Sequence, residues 1–162
     1  MYNLYYRGFM MFKIIPFQNE YRDDTIFCLL LAKDAIQYVP HFSDDLLDIQ
    51  SNYFDKGDMF WIALDENNRV IGMIGTNTFT DTDMWLKRLF IKPEIKRKGL
   101  GSALLATAED YAKSKNIENI HTRFADWYNE AAIFYPSKGY IEVVGKSDGK
   151  RHFVKNIKNT AL

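Results

Sequence analysis

Residues 89–105 constrain this 162-residue chain more than any other stretch. The apolar run Leu89-Phe90-Ile91 reads as a strand. Pro93 stops it, and a basic loop follows, Lys96-Arg97-Lys98-Gly99-Leu100-Gly101, opening into Ser102-Ala103-Leu104-Leu105 with helical spacing. A strand–turn–helix of this kind gathers backbone N–H groups at a helix N-terminus. The first-turn amides have no partner inside the helix and sit at the positive end of its dipole, a setting suited to phosphate oxygens. Gly99 and Gly101 let the main chain approach a ligand that a Cβ would keep away. Lys96, Arg97 and Lys98 add three positive charges.

Two familiar phosphate loops do not match. A P-loop ends in Gly-Lys-Ser/Thr, with the lysine on the phosphates; here Gly101 is followed by Ser102 and Ala103. A dinucleotide fingerprint needs a small residue three after its second glycine, for close helix–strand packing. That position is Leu104.

Length and composition bound the rest. The chain fits one domain with a core of its own. With 21 cations against 21 anions the net charge is zero, which argues against a dedicated nucleic-acid binder. No apolar run reaches the ~18 residues of a membrane span. Met1 to Phe12 is tyrosine-rich and lacks the apolar centre of a signal peptide, so a cytoplasmic location is expected. The lone Cys28, in Phe27-Cys28-Leu29-Leu30-Leu31, cannot form an intrachain disulfide and reads as a buried structural thiol. No metal site is expected.

Periodicity and turn chemistry divide the chain as follows. A first strand spans 10–17. A helix capped by Asp23 or Asp24 carries Ile26, Leu29, Leu30, Lys33 and Ile36 on one face, and a second, capped by Ser43-Asp44-Asp45, runs over 46–54. Strands at 59–64 and 70–79 flank the turn Asp65-Glu66-Asn67-Asn68, and a strand over 84–91 feeds the glycine loop. The helix over 101–115 places Leu104, Leu105, Ala108, Tyr111 and Ala112 on one stripe. A strand at 117–124 and a short helix at 129–137, closed by Gly139, precede strands at 140–144 and 152–157 around the turn Lys146-Ser147-Asp148-Gly149. A strand–helix–strand unit beside hairpins gives a mixed sheet with one parallel pair, hence an α+β fold.

The loop resembles Arg/Gln-x-x-Gly-x-Gly/Ala, the pyrophosphate loop of the general-control-nonderepressible-related N-acetyltransferases, the GNAT superfamily, with Lys96 where arginine or glutamine is usual. A second segment, Asn129-Glu130-Ala131-Ala132-Ile133-Phe134-Tyr135-Pro136-Ser137-Lys138-Gly139-Tyr140, resembles the family's downstream pattern Asn-x-x-Ala-x-x-Phe-Tyr-x-x-x-Gly-Phe/Tyr. The element order is similar as well, so the resemblance covers about residues 10–157. It implies the GNAT fold, a central mixed sheet of about seven strands splayed at its parallel pair and flanked by about four helices. One acetyltransferase domain is then expected over 1–162, with 1–9 an N-terminal extension; Met10 or Met11 reads as an alternative start.

The resemblance further implies transfer of an acetyl group from acetyl-CoA to an amine by direct attack in a ternary complex. Leu89, Phe90 and Ile91 would pair with the pantetheine amides and offer a backbone donor, near a strand bulge frequent in the family. Lys96, Arg97, Lys98, Gly99, Leu100, Gly101 and Ser102 would hold the pyrophosphate. Asn129, read as a helix N-cap, and Ala132 would line the cofactor arm. Tyr135 would be the general acid for the leaving thiolate.

The amine must lose a proton before it attacks, because an alkyl ammonium has a pKa near ~10. The strand residues 84–88 hold no carboxylate. Asp83 is the nearest candidate base, with a water chain as the alternative; His41, His121 and His152 read as structural. Tyr38, His41, Phe42 and Trp127 are candidates for the acceptor side. Aromatic and acidic residues together suit a cationic amine, although Asp44 and Asp45 also read as helix-capping acids. Small amines and peptide or protein amines both stay open, as does a homodimer. The rival reading is an acyl-CoA-binding sensor without catalysis.

Overall fold

A computed structural model describes residues 3–7, 10–145 and 148–158, apart from the side chains of 3–7 and 10. Its strands are β1 (Asn3–Arg7), β2 (Met10–Pro16), β3 (Phe60–Leu64), β4 (Val70–Thr78), β5 (Asp83–Ile91), β6 (Asn119–Ala125), β7 (Ile141–Glu142) and β8 (Lys150–Asn156), and its helices are α1 (Arg22–Ala35), α2 (Ile49–Asn52), α3 (Leu100–Ser114) and α4 (Asn129–Ser137). The chain forms two compact bodies, Met1–Asn77 with Lys87–Ala108, and Thr78–Leu86 with Glu109–Leu162. Strand β5 and helix α3 contribute to both.

In the first body β1, β2, β3 and β4 follow one another antiparallel, with registers such as Leu4↔Lys13, Ile15↔Ile62 and Ile62↔Met73. The turn between β3 and β4 forms because the Asp65 carboxylate accepts from the backbone N–H of Asn67 and Arg69 and Asn68 takes the left-handed conformation that asparagine tolerates. Ile15, Leu29, Leu46, Ile49, Phe60 and Ile62 share one core. Gly72 keeps β4 low: a Cβ there would lie 3.0 Å from both Ile91 Cδ1 and Leu104 Cδ1. The end of β5 and the start of α3 close over that gap, which fixes the loop between them.

In the second body β6 pairs antiparallel with β8 along its whole length, and β7 adds two residues on β8. The start of β5 pairs parallel with β6 through Asp83↔Asn119, Met84↔Ile120 and Trp85↔His121. This register runs from Asp83 to Trp85.

Four expectations need correction. The helix anticipated over 46–54 is a broken run: 3₁₀ turns at Asp44–Leu46 and Phe54–Lys56 flank the four-residue α2. Ser43 makes no side-chain cap there; Asp48 does, accepting from the Ser51 N–H at 3.1 Å. Asp24 does not cap α1 either. Its carboxylate is drawn across to Arg69 (2.8 Å) and the Val70 N–H (2.7 Å). The strand expected at 140–144 is only Ile141–Glu142, and two residues of the turn that follows, Lys146 and Ser147, lie outside the described set.

Candidate active site

The loop after β5 has the shape its sequence predicts. Lys92 ends the strand by donating its N–H to the Ile71 carbonyl at 2.9 Å, and Pro93 begins a 3₁₀ turn to Ile95. Arg97 (φ 66°) and Gly99 (φ 85°) are both left-handed, so the chain coils tightly before the helix. The Gly99 carbonyl accepts the first helical bond, from Ala103 N–H at 3.1 Å. The amides of Leu100, Gly101 and Ser102 are therefore the helix's first-turn donors. The Leu100 side chain is buried and anchors the turn, whereas Arg97 and Lys98 are exposed. What Leu100 and Gly101 offer a ligand is main chain.

One turn upstream, Arg88 also has positive φ (57°), within β5 itself. A non-glycine residue held there marks a strand irregularity that its surroundings must enforce. The Arg88 side chain is held by a bidentate pair: its Nη2 and Nε donate to Asp45 Oδ1 and Oδ2 at 2.8 and 3.0 Å. Tyr53 donates its hydroxyl to Asp45 Oδ2 at 2.5 Å. Burial alone would raise the Asp45 carboxyl; the Arg88 and Tyr53 bonds outweigh it and hold it below its ordinary value. Lys33, only 5% exposed, donates to Ser43 Oγ at 3.3 Å and lies 5.6 Å from the Tyr38 ring. Burial and then the Arg88 charge lower its pKa, against the pull of Asp45.

In the second body, Tyr135 is buried on α4 and stacks on Phe124 with centroids 5.8 Å apart. Burial pushes its phenol up to about 12, with the Thr122 hydroxyl pulling the other way. It stays protonated at neutral pH and is available as a donor. Helix α4 begins at Asn129 itself, so the N-cap is Tyr128. Asn129 is the first helical residue, a correction of one position. Gly139 (φ 88°) closes the helix as predicted.

Asp83 sits in a denser web than its sequence position suggests. Thr82 and Thr80 hydroxyls donate to its Oδ2 at 2.6 and 3.1 Å, and His121 Nε2 lies 2.7 Å from Oδ1. These bonds, that of Thr82 foremost and that of His121 next, lower its carboxyl to about 2. The other ring nitrogen of His121, Nδ1, lies 2.9 Å from His152 Nε2. Trp85 packs 5.1 Å from both imidazole centroids. Burial, then the charges of His121 and Arg123, lower the His152 pKa.

A model of the acetyltransferase (GNAT) family matches residues 8–140. The chain belongs to that family. Among curated relatives, human N-acetyltransferase 8 is 28% identical over 102 residues, covering 59% of this chain and 44% of its own. The probable N-acetyltransferase camello of Xenopus tropicalis is 25% identical over 99 residues, 59% of this chain and 45% of its own. The chain thus spans under half the length of these relatives. An acetyltransferase of the GNAT family from Staphylococcus aureus Mu50 has the same fold, with TM-score 0.81 at 24% identity over 91% of this chain and 99% of that one. The PaiA N-acetyltransferase of Thermoplasma acidophilum, solved with coenzyme A, gives 0.73 at 19% identity over 90% and 98%.

Within this GNAT chain, the loop Lys96–Ser102 and the strand residues Leu89, Phe90 and Ile91 lie in the first body; Tyr135, Asn129, Ala132, Asp83 and Trp127 lie in the second. The Tyr38 and His41 rings stand 5.7 Å apart in the first body, and Phe42 beside them is 65% exposed. Trp127 is half-exposed. Three features escaped the sequence reading: the Arg88–Asp45 pair, the His121–His152 bond and buried Lys33. Only Lys33 left a trace, as a lysine on the apolar face of α1. Among the described residues no group of three His, Cys, Asp or Glu side chains is set to hold a metal, and no helix is long and apolar enough to cross a membrane.

Proposed function

We propose that the protein is an N-acetyltransferase that moves the acetyl group of acetyl-CoA to an amine in a ternary complex. The observation that carries this is the left-handed pair Arg97 and Gly99 opening directly onto the first turn of α3. Its donor set, the amides of residues 100–102 with the Lys96–Lys98 cations, fits a diphosphate in both charge and hydrogen-bond sense.

Acetyl-CoA supplies a thioester whose carbonyl an amine can attack. The chain's residues then have three tasks. The backbone at Leu89–Ile91, next to the Arg88 irregularity, offers a fixed N–H where negative charge develops on oxygen. Tyr135 keeps its proton through neutral pH and donates to the departing sulfur. A carboxylate at about 2 is too weak a base to take a proton from an ammonium directly, so Asp83 serves by orienting His121. His152 at the end of that chain takes the proton, directly or through water.

We read the chain as one acetyltransferase domain, cytoplasmic, in which residues 1–9 are an extension that adds β1. Melting with and without acetyl-CoA tests the reading. At about 100 times Kd the ligand should add roughly 2.7 kcal/mol, or about 5–10 °C, and CoA release should follow when an acceptor is supplied. Silence toward every acyl-CoA would leave only the fold. A shift with no transfer to any amine would favour an acyl-CoA sensor.

A further inference from the structure

We infer that the acceptor amine carries a carboxylate and that Lys33 binds it; this rests on the acetyltransferase reading above. The sequence left Asp44 and Asp45 open as partners of a cationic amine or as helix-capping acids. In the first body Asp45 is already engaged. Both of its oxygens are taken by Arg88, one of them also by Tyr53, and Asp44 faces solvent.

What remains is a positive charge. The charges of Arg88 and Asp45 both act on Lys33, and the three groups comprise two cations and one anion. The Asp45–Arg88 pair is complete without Lys33, and the guanidinium repels the ammonium. The ammonium has three donors and one protein acceptor among the described residues, the Ser43 hydroxyl at 3.3 Å. The groups the structure sets against it are the Tyr38 ring, the Ser43 hydroxyl, Arg88 and Asp45. Asp45, the carboxylate among them, is already held by Arg88 and Tyr53.

A cation buried to 5% exposure on the apolar face of α1, beside Cys28 and Leu29 (both fully buried), is a costly choice for packing alone. Leucine or methionine would suit that face. The position has a use if an anion arrives. Lys33 Nζ and Ser43 Oγ form a donor pair, and Arg88 directly precedes the strand stretch assigned to the acyl donor. The Tyr38 ring lies 5.6 Å from the lysine, and the His41 ring stands 5.7 Å from Tyr38. An acceptor with an amine and a carboxylate on one small skeleton, of the amino-acid type, answers this arrangement; a polyamine does not.

The experiment uses the full chain and chemically matched probes. CoA release is measured with the L-amino acids, their α-carboxamides, and putrescine, for wild type, Lys33→Gln and Lys33→Arg. In parallel, melting is followed with N-acetyl-L-amino acids against their carboxamides, with and without CoA. We expect the best acid to exceed its amide at least 10-fold in kcat/KM, the preference to fall below about 3-fold in Lys33→Gln, and Lys33→Arg to recover part of it. Only N-acetyl acids should raise the melting temperature, and only with lysine or arginine at position 33. Amides or putrescine matching the acids, no acid shifting the melt, or Lys33→Gln lowering acid and amide equally would each overturn the inference. Lys33→Met should melt at or above wild type; a drop of several degrees would make Lys33 a structural cation and also overturn it. Failure of the acetyltransferase reading shows separately, as a melt indifferent to acetyl-CoA, while the N-acetyl acids without CoA still report on Lys33.

Discussion

His121 Nε2 stands 2.7 Å from Asp83 Oδ1, which fixes the proton arrangement of the imidazole. A carboxylate at about 2 accepts the Nε2–H, leaving Nδ1 as the acceptor that faces His152 Nε2 at 2.9 Å. The three side chains form one directed chain. If it carries the proton away from the amine, His152→Gln should lower kcat by about 10²–10⁴ with little change in the KM for acetyl-CoA. Asp83→Asn should shift the acid limb of the pH–rate profile as well as the rate. Unchanged profiles in both variants would return deprotonation to bulk water.

The same histidine predicts how stability responds to acid. Folding lowers the His152 pKa below the ordinary ~6.5 through burial and then the neighbouring His121 and Arg123. The unfolded chain therefore binds the proton more readily. Stability should be full above that ordinary value and decline as pH falls below it. Denaturant midpoints at pH 7.5 and 5.5 should differ for wild type, and by less for His152→Gln.

Tyr135→Phe keeps the ring stacked on Phe124 and removes only the hydroxyl. Turnover should fall by about 10²–10⁴, while the melting shift caused by acetyl-CoA stays near wild type. Because the phenol titrates at about 12, no limb of its own should appear in the neutral pH range. Full activity in the variant would strip Tyr135 of the role.

Gly72→Ala places a methyl group 3.0 Å from Ile91 Cδ1 and Leu104 Cδ1 and 3.1 Å from Leu100 Cδ2. Overpacking of this kind costs about 1–3 kcal/mol. The side chains it displaces support both ends of the loop, so thermal melts should show weaker acetyl-CoA binding as well as lower stability. Loss of stability alone would separate the packing from the loop.

Local features were legible in the chain. Helix α4 has the bounds its motif implied, and Gly139 takes the left-handed cap. Cys28 is fully buried, with its thiol pushed up to about 12 by burial. The broken run after Ser43 is instructive. Leu46, Ile49 and Tyr53 all reach the core, as helical spacing demands, but three short turns satisfy that spacing as well as one helix. Contacts between distant residues were not legible. Asp24 with Arg69, Asp45 with Arg88 and His121 with His152 join positions 45, 43 and 31 apart. No local pattern in a single sequence encodes those registers, so Asp24 and Asp45 read as caps when each is half of an ion pair.

The left-handed turns at Arg97 and Gly99 belong to the fold of the loop itself. The ordering entropy of the loop is therefore charged to folding rather than to association. Capture of a diphosphate should proceed at a rate governed by diffusion and by the Lys96–Lys98 charge, declining with ionic strength and free of a slow isomerising phase.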